Sequence, residues 1–319
     1  MAQGNQGHVG LCFQQSMGTE YTSSMHYLPI LTESMLETKP RLASEAIRSR
    51  FEAGPKYEGL NEVGGELSSE VHPILIGMAL KAWCGQASGS IGTSEYTHTF
   101  LPLQSDFDSK AAVPPMTVEV YRDTGSGMLY YDQCLNNFDL EIANGELLKM
   151  TWGFIGCAAK KATKTTPSYL TGDEFRWNQV SVSLGGSALD EISQLTISGN
   201  LNLEAKGYLN GNTTPARVLR TDKRTLEISG TVVLDGDTQK DIARAQTSQR
   251  MVVTVTGQEV SSGYNAKLEV DIPSFVYTEY PDNIGGPGLI EVSFKGEADY
   301  NTGSATMVKF TLVNTQSIY

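Results

Sequence analysis

The side chains that most often do chemistry in proteins are scattered along this sequence. The four histidines show no HExxH spacing and no histidine partner four residues away: His8, His26, His72 and His98. The four cysteines are equally dispersed and show no CxxC spacing: Cys12, Cys84, Cys134 and Cys157. We therefore expect no metal site and no disulfide framework, and the cysteines are expected to be buried, reduced thiols.

Two acidic pairs, Glu66 with Glu70 and Asp235 with Asp237, have the residue types of a glycosidase acid and base. Acids on the solvated face of a strand explain both pairs more simply. The glycine-rich stretches lack the GxGxxG and GxxxxGKS/T patterns of phosphate-binding loops, and no GxSxG motif is present. The sequence thus predicts no catalytic residue and no cofactor, and we expect the protein not to be an enzyme.

Most of the chain alternates between apolar and polar residues, which is the pattern of strands with one buried face. In residues 138–143 the apolar positions are Phe138, Leu140 and Ile142, and an Asn-Gly pair separates this run from a second one at 148–154. Asn-Gly between two such runs predicts a β-hairpin with positive φ at both turn residues. Further strands are predicted at 65–71, 116–123, 127–132, 180–184, 195–205, 224–234, 250–256, 268–272, 290–299 and 307–314.

Helices are expected at only two places, beginning near Pro73 and at Asp237 or Thr238. With 32 glycines and 19% charged residues, the composition is typical of a turn-rich all-β protein. We predict a mainly β fold, a β-sandwich or barrel with few flanking helices.

Two segments match two later segments at constant offsets. LKMTWGFIGCA (148–158) aligns with GLIEVSFKGEA (288–298), so that Phe154 meets Phe294. Residues 64–80 share the layout of 229–245, a glycine-flanked strand before a helix start. Such similarity predicts a fold duplicated in tandem. Because the second offset is longer, the first half is expected to carry an insertion, at 86–113.

We predict four parts: an N-terminal arm that orders against a partner, a first β domain, a linker and a second β domain, at 1–20, 21–160, 161–176 and 177–319. The linker is basic and lacks alternation. Within the domains, 50–62 and 210–223 also lack alternation and are expected to be long loops or hairpin arms.

The net charge of −12 disfavours a protein that grips nucleic acid through its phosphates. The sequence contains no apolar stretch of about 18 residues, so no membrane span is predicted. The first residues have neither the basic nor the apolar region of a signal peptide, which predicts a cytosolic origin.

The order of these segments resembles the major tail tube proteins of long-tailed, siphovirus-like bacteriophages. The resemblance runs from Tyr21 to Asn314 and is carried by YTSSMHYLPILTESMLE, SEAIRSRFEAG, GGELSSEVHPILIGMALKAWCG, YTHTFLPL, WGFIGCAAKK and LIEVSFKGEAD…MVKFTLVN. It implies domains of tail-tube type whose inner strands join into a continuous barrel within a ring. The rings stack into the tube through which DNA is ejected into the host.

The resemblance also implies partners and a location. The chain would associate with itself, as a trimeric ring with pseudo-sixfold symmetry or alternatively as a hexamer. It would also meet the tape measure and the tail terminator and tip proteins. DNA would pass through the lumen without specific binding. The protein would be assembled in the host cytoplasm and reside in the virion tail.

Two groups of residues follow as candidates. The acids expected to line the lumen are Glu66, Glu70, Glu227 and Asp235. The residues expected on arms that contact a neighbouring ring, with a solvated charge cluster as the alternative for the basic ones, are Lys56, Tyr57, Arg217, Arg220, Lys223 and Arg224.

Two other functions remain open at this point. A capsid or head-to-tail connector protein is the closer alternative. A jelly-roll carbohydrate-active enzyme would need a carboxylate pair in an aromatic cleft, and of the three tryptophans Trp83 and Trp152 lie in predicted core segments.

Overall fold

The computed structural model describes residues 3–49, 51–89, 95–261, 263–284 and 287–319. The first half of the chain, up to residue 162, contains β1 His8–Phe13, β2 His26–Leu28, β3 Ile30–Glu33, β4 Leu36–Thr38, β5 Arg41–Ala43, β6 Lys56–Glu58, β7 Glu62–Glu70, α1 Leu75–Cys84, β8 Tyr96–Phe100, β9 Met116–Tyr121, β10 Gly127–Ala143, β11 Lys149–Gly156 and β12 Ala158–Ala162.

The second half, from residue 177, contains β13 Val180–Leu184, β14 Ser187–Ala188, β15 Ile192–Asn200, β16 Leu203–Lys206, β17 Arg217–Arg220, β18 Thr225–Val233, α2 Thr238–Ala245, β19 Gln249–Ser261, β20 Tyr264–Glu279, β21 Glu291–Ala298 and β22 Lys309–Asn314. The predicted mainly β fold with few helices is confirmed.

Strand β10 organises the first half because it belongs to two sheets. Its N-terminal part pairs with β9 and β12, and its C-terminal part pairs with β11. The register shifts between Tyr130 and Gln133 and between Leu135 and Asn137, and such irregularities bend a strand. The two strands predicted at 127–132 and 138–143 are therefore one bent strand.

Strand β20 has the same relationships in the second half. Its N-terminal part pairs with β19 and β22, and its C-terminal part pairs with β21. The pairing of β7 with β11 likewise recurs as the pairing of β18 with β21. The series β7, α1, β9, β10, β11, β12 thus has the same order and pairing as β18, α2, β19, β20, β21, β22.

The halves are joined by two strand pairings and a shared core. The C-terminal part of β10 pairs with β15, and β8, which lies within the predicted insertion 86–113, pairs with β22. In the core, the Trp83 ring meets Phe138 edge-on at 5.2 Å and Phe310 at 6.3 Å. These rings come from α1, β10 and β22, so aromatic packing stabilises the contact between the halves.

Three local predictions are wrong. Residues 8–13 are not part of an arm: they form β1, where Val9 and Leu11 are buried and pair with β9, because HVGLCF continues the apolar alternation. The hairpin after β10 has positive φ at Gly145 (84°) but not at Asn144, since the connection extends to Leu148. The strand predicted at 195–205 breaks at Asn202, which adopts a φ of 51°.

Candidate lumen surface and its flanking arms

One antiparallel sheet runs through both halves and is named here the inner sheet. Its strands lie in the order β7, β11, β10, β15, β18, β21. Beyond β7 lie β3 and β4, and beyond β21 lies the C-terminal part of β20. Apolar side chains on one face pack into the core, among them Leu67, Trp152, Phe138, Ile197, Ile228 and Phe294.

The opposite face of the inner sheet is mainly polar, because most residues between the buried positions are hydroxyl, amide or charged residues, and a few, such as Val233 and Ile155, are apolar. One cross-strand row illustrates this pattern from edge to edge: Ser68, Thr151, Asp139, Ser198, Glu227 and Glu297 are successive partners. A row of this kind can hydrogen-bond water across the whole sheet but offers no apolar surface for packing.

This polar face has an excess of negative charge. Its acids are Glu62, Glu66, Glu70, Asp139, Glu141, Glu227, Glu291 and Glu297. The basic residues of the same six strands on this face are Lys149 and Lys295, and both contact acids outside those strands, Glu146 and Glu279. Lys149 also interacts electrostatically with Glu141 and Glu70, and within the described residues the other six carboxylates of this face form no ion pair.

Glu227 and Glu297 lie directly opposite each other on β18 and β21. Both side chains belong to exposed residues. Like charges in directly opposed cross-strand positions destabilise a sheet. The polar face thus carries two like charges side by side at a cost in stability.

The structure brings three of the four predicted lumen acids together. Glu66, Glu70 and Glu227 lie on the polar face of the inner sheet. Asp235 does not: it is exposed in the turn between β18 and α2, where the strand has ended before Gly236, whose φ is 83°. Its prediction as a residue of an inner strand is wrong.

The prediction missed other acids of this face, notably Asp139, Glu141 and Glu297. The signal was available for the first two, because the alternation in 138–143 already separates them from Phe138, Leu140 and Ile142. Glu297 occupies the corresponding polar position of β21.

Each half also carries a two-stranded arm between two inner-sheet strands. The first arm, β5 with β6, precedes β7, and the second arm, β16 with β17, precedes β18. Lys56 and Tyr57 lie exposed on β6. Arg217 is exposed at the start of β17, with its guanidinium 5.5 Å from the centre of the Tyr208 ring.

Arg220 and Arg224 contact their own chain instead. Arg220 Nε donates to Asp106 Oδ1 at 3.3 Å, and an Arg224 guanidinium nitrogen donates to the Leu103 carbonyl. Burial lowers the pKa of Arg224 to about 10. Both side chains thus hold the segment after β8, which argues against their predicted contact with another ring, while Lys223 lies exposed in the turn before β18.

The remaining chemistry-bearing side chains do not converge. Within the described residues, no three His, Cys, Asp or Glu side chains lie close enough together to hold a metal ion. All four cysteines are unbonded and buried, and burial raises the pKa of the Cys12 thiol to about 12. Among the helices of the described residues, none is long and apolar enough to span a membrane.

No curated protein matches this chain in sequence. The family model described as "Phage tail tube protein" matches residues 4–298, which is nearly the whole chain. The match includes the inner sheet, both arms and both helices. The chain therefore belongs to the phage tail tube protein family, a family of structural proteins of the virion tail.

Proposed function

We propose that this protein polymerises into stacked rings that form the tail tube of a siphovirus-like phage, the conduit for DNA ejection into the host. The observation that carries the proposal is the inner sheet, which runs unbroken through both halves and has a core face and an acidic face. In a ring, the core face would point outward and the acidic face would line the lumen.

Open edges support polymerisation. Within the described residues, β3 and β4 at one side pair with β7 alone, and residues 276–279 of β20 at the other side pair with β21 alone. Exposed sheet edges promote uncontrolled association unless they are covered, and ring closure covers them all. The same strands would then form one continuous barrel.

The repeated strand order supports two tandem domains of one type, 21–160 and 177–319, joined by a linker at 161–176. Since each chain supplies two such domains, three copies would give a ring with pseudo-sixfold symmetry. We favour this trimer over a hexameric ring. Residues 8–13 belong to the first domain by their pairing with β9.

The acidic lumen supports passage of DNA without binding. Cationic side chains at successive phosphate positions would hold the duplex, whereas an acidic wall keeps it hydrated and mobile. Glu66, Glu70 and Glu227 are the lumen residues of this proposal, together with Asp139 and Glu297. No enzymatic activity is part of it.

The proposed partners are further copies of this chain, the tape measure protein within the tube, and terminator and tip proteins at its ends. Assembly would take place in the host cytoplasm. Size-exclusion chromatography followed by negative-stain electron microscopy tests the proposal, which predicts hollow rings or tubes. Closed shells would favour a capsid protein, and monomers alone at high concentration would contradict polymerisation.

A further inference from the structure

Of the two strand pairings between the halves, the one between β10 and β15 lies within the inner sheet, and its register is known. Seven residue pairs join β10 to β15, from Asn137 opposite Asn200 to Ala143 opposite Gln194. In the order of strands across the inner sheet, β10 is the last strand from the first half and β15 is the next one, from the second half. The pairing of β10 with β15 is named here the internal junction.

The second arm extends the internal junction. Its strand β17 lies against the segment 110–112 of the first half, where Ala112 N donates to Val218 O at 2.9 Å and Val218 N donates to Lys110 O at 2.8 Å. Val218 is fully buried. Asn61 N also donates to Thr213 O at 2.7 Å. Strand β15 and the second arm therefore both dock on the first half of the chain.

The first half has the same two features, but within the described residues β3 and β4 pair with β7 alone and no strand pairs with the first arm. Strands β3 and β4 correspond to β15, and the first arm corresponds to the second arm. All six residues of β5 and β6 are exposed. Large apolar side chains on this edge and arm face solvent, Leu36 at 62% exposure and Leu42 and Tyr57 at 60%, whereas the second arm buries Leu203 and Val218.

The complementary surface lies at the other end of the chain. By its pairing with β21, the end of β20 corresponds to the end of β10, but β20 stops at Glu279 while β10 continues to the hairpin. In the segment that follows, Ile284 and Leu289 are exposed at 80% and 82%. In the register derived below, Ile284 corresponds to Leu140, which is buried in the first half.

We infer that the subunits of the ring contact each other through a copy of the internal junction. Residues 280–284 of one copy continue β20 and lie opposite residues 37–41 of the next copy, which include the end of β4, and the first arm docks beside them. This inference rests on the proposed function, and it specifies which edges of a second copy meet and in which register.

The register follows from the repeat. Glu279 pairs with Lys295, and continuing this antiparallel ladder by four residues sets Asn283 opposite Glu291. In the repeat, Glu291 corresponds to Thr151, and Thr151 pairs with Asp139. Asn283 therefore corresponds to Asp139. On the other edge, Thr38 pairs with Glu62, which corresponds to Glu227 in the repeat. Glu227 pairs with Ser198 on β15, so Thr38 corresponds to Ser198. Because Asp139 pairs with Ser198, Asn283 of one copy pairs with Thr38 of the next.

The neighbouring positions fit this register. It places Lys39 opposite Asp282, and opposite charges in cross-strand positions are favourable. Within one chain Lys39 contacts Glu37 and Asp282 contacts Lys240, so the pair between copies would add to or replace these contacts. It also places Pro281 opposite Pro40, at the position of Asn137 and Asn200 where the internal ladder ends. Proline lacks the N–H donor of a ladder and is tolerated at such an end.

Cysteine pairs test the register. A chain with Thr38→Cys and Asn283→Cys is assembled and oxidised, since opposed strand residues lie at a Cα separation that a disulfide can span. The two sites lie at opposite ends of one chain's sheet, so a bond between them joins two copies. The native cysteines are buried and do not compete. Asp139→Cys with Ser198→Cys, at the internal junction, is the positive control.

The register control combines Asn283→Cys with Thr32→Cys, which lies on the same edge about 20 Å from Thr38 at about 3.3 Å per residue. We expect covalent dimers and trimers, and nothing larger, for the Thr38 pair, and monomers for the Thr32 pair. Rings that form without this cross-link, or that cross-link equally through Thr32, would overturn the inferred register while leaving the proposed function intact. If no rings form although the internal control is oxidised within single chains, both proposals fail.

Discussion

Phe294 on β21 lies directly opposite Gly230 on β18, and its ring covers the glycine so closely that a Cβ there would be 2.8 Å from Phe294 Cζ. The first half repeats the pairing, with Phe154 on β11 opposite Gly65 on β7, although a Cβ at Gly65 would first meet backbone atoms of Ser34 and Met35. In the sequence, Phe154 matches Phe294 and Gly65 matches Gly230 at two different offsets. In each half of the structure, the matched phenylalanine is the cross-strand partner of the matched glycine. An aromatic ring covering a glycine helps to fix the register of a sheet.

Gly230→Ala is expected to destabilise the unassembled chain by about 1–3 kcal/mol through overpacking. The added methyl group would meet the Gln194 carbonyl oxygen at 2.6 Å as well as the Phe294 ring. Urea denaturation measures the free energy of unfolding. Gly4→Ala is the control, because a Cβ at Gly4 has no neighbour within 4 Å; equal effects of both changes would contradict the packing described.

Trp152→Ala and Phe294→Ala are each expected to cost about 3–5 kcal/mol, because both side chains are almost completely buried and would leave cavities. Trp177→Ala is the matched control, since Trp177 is 45% exposed, and its effect should be much smaller. Thermal unfolding monitored by circular dichroism compares the three variants. A loss of less than 1 kcal/mol at either buried position would refute this account of the core.

The two buried aromatic positions also mark what could be predicted from the sequence. Period-two alternation depends only on local side-chain types, so it located Trp152, Phe294 and most strands of the inner sheet. It could not show that β10 bends into two sheets, because the bend arises from register shifts against β9 and β11.

Contacts between segments far apart in the sequence could not be predicted either, because alternation reports only on neighbouring residues. Arg220 and Arg224 form a basic cluster in the sequence, and only the fold shows that the segment after β8 supplies their acceptors. Residues 8–13 could have been predicted as a strand from Val9 and Leu11, but the glycine-rich surroundings obscured the short run.

Glu227→Gln is expected to stabilise the unassembled chain by about 0.2–1 kcal/mol at low salt, because it removes the repulsion from Glu297. The gain should decrease as salt is raised, since salt screens exposed charges. Glu291→Gln is the control, because Glu291 lies opposite the apolar Val233. Denaturation at two salt concentrations checks this, and a similar gain in the control would rule out repulsion across the strands.

Replacing Glu66, Glu70 and Glu227 together by Lys is expected to leave tube assembly intact and to slow DNA ejection, because cations along the lumen would bind phosphates. The defect should be smaller at higher salt. Ejection kinetics from phage particles with the variant tube provide the measurement. The same number of acid-to-Lys changes on Glu204, Glu259 and Asp299, which lie outside the inner sheet, is the control. Unchanged ejection from confirmed tubes would reject the electrostatic role of the wall.

The most direct test of the central claim is a helical reconstruction of assembled tubes by cryo-electron microscopy at a resolution that separates strands. We predict three copies in each ring, with the inner sheets joined into one barrel and Glu227 and Asp139 pointing into the lumen. Tubes whose lumen is lined by another surface, with the polar face of the inner sheet turned outward or buried between rings, would contradict the account.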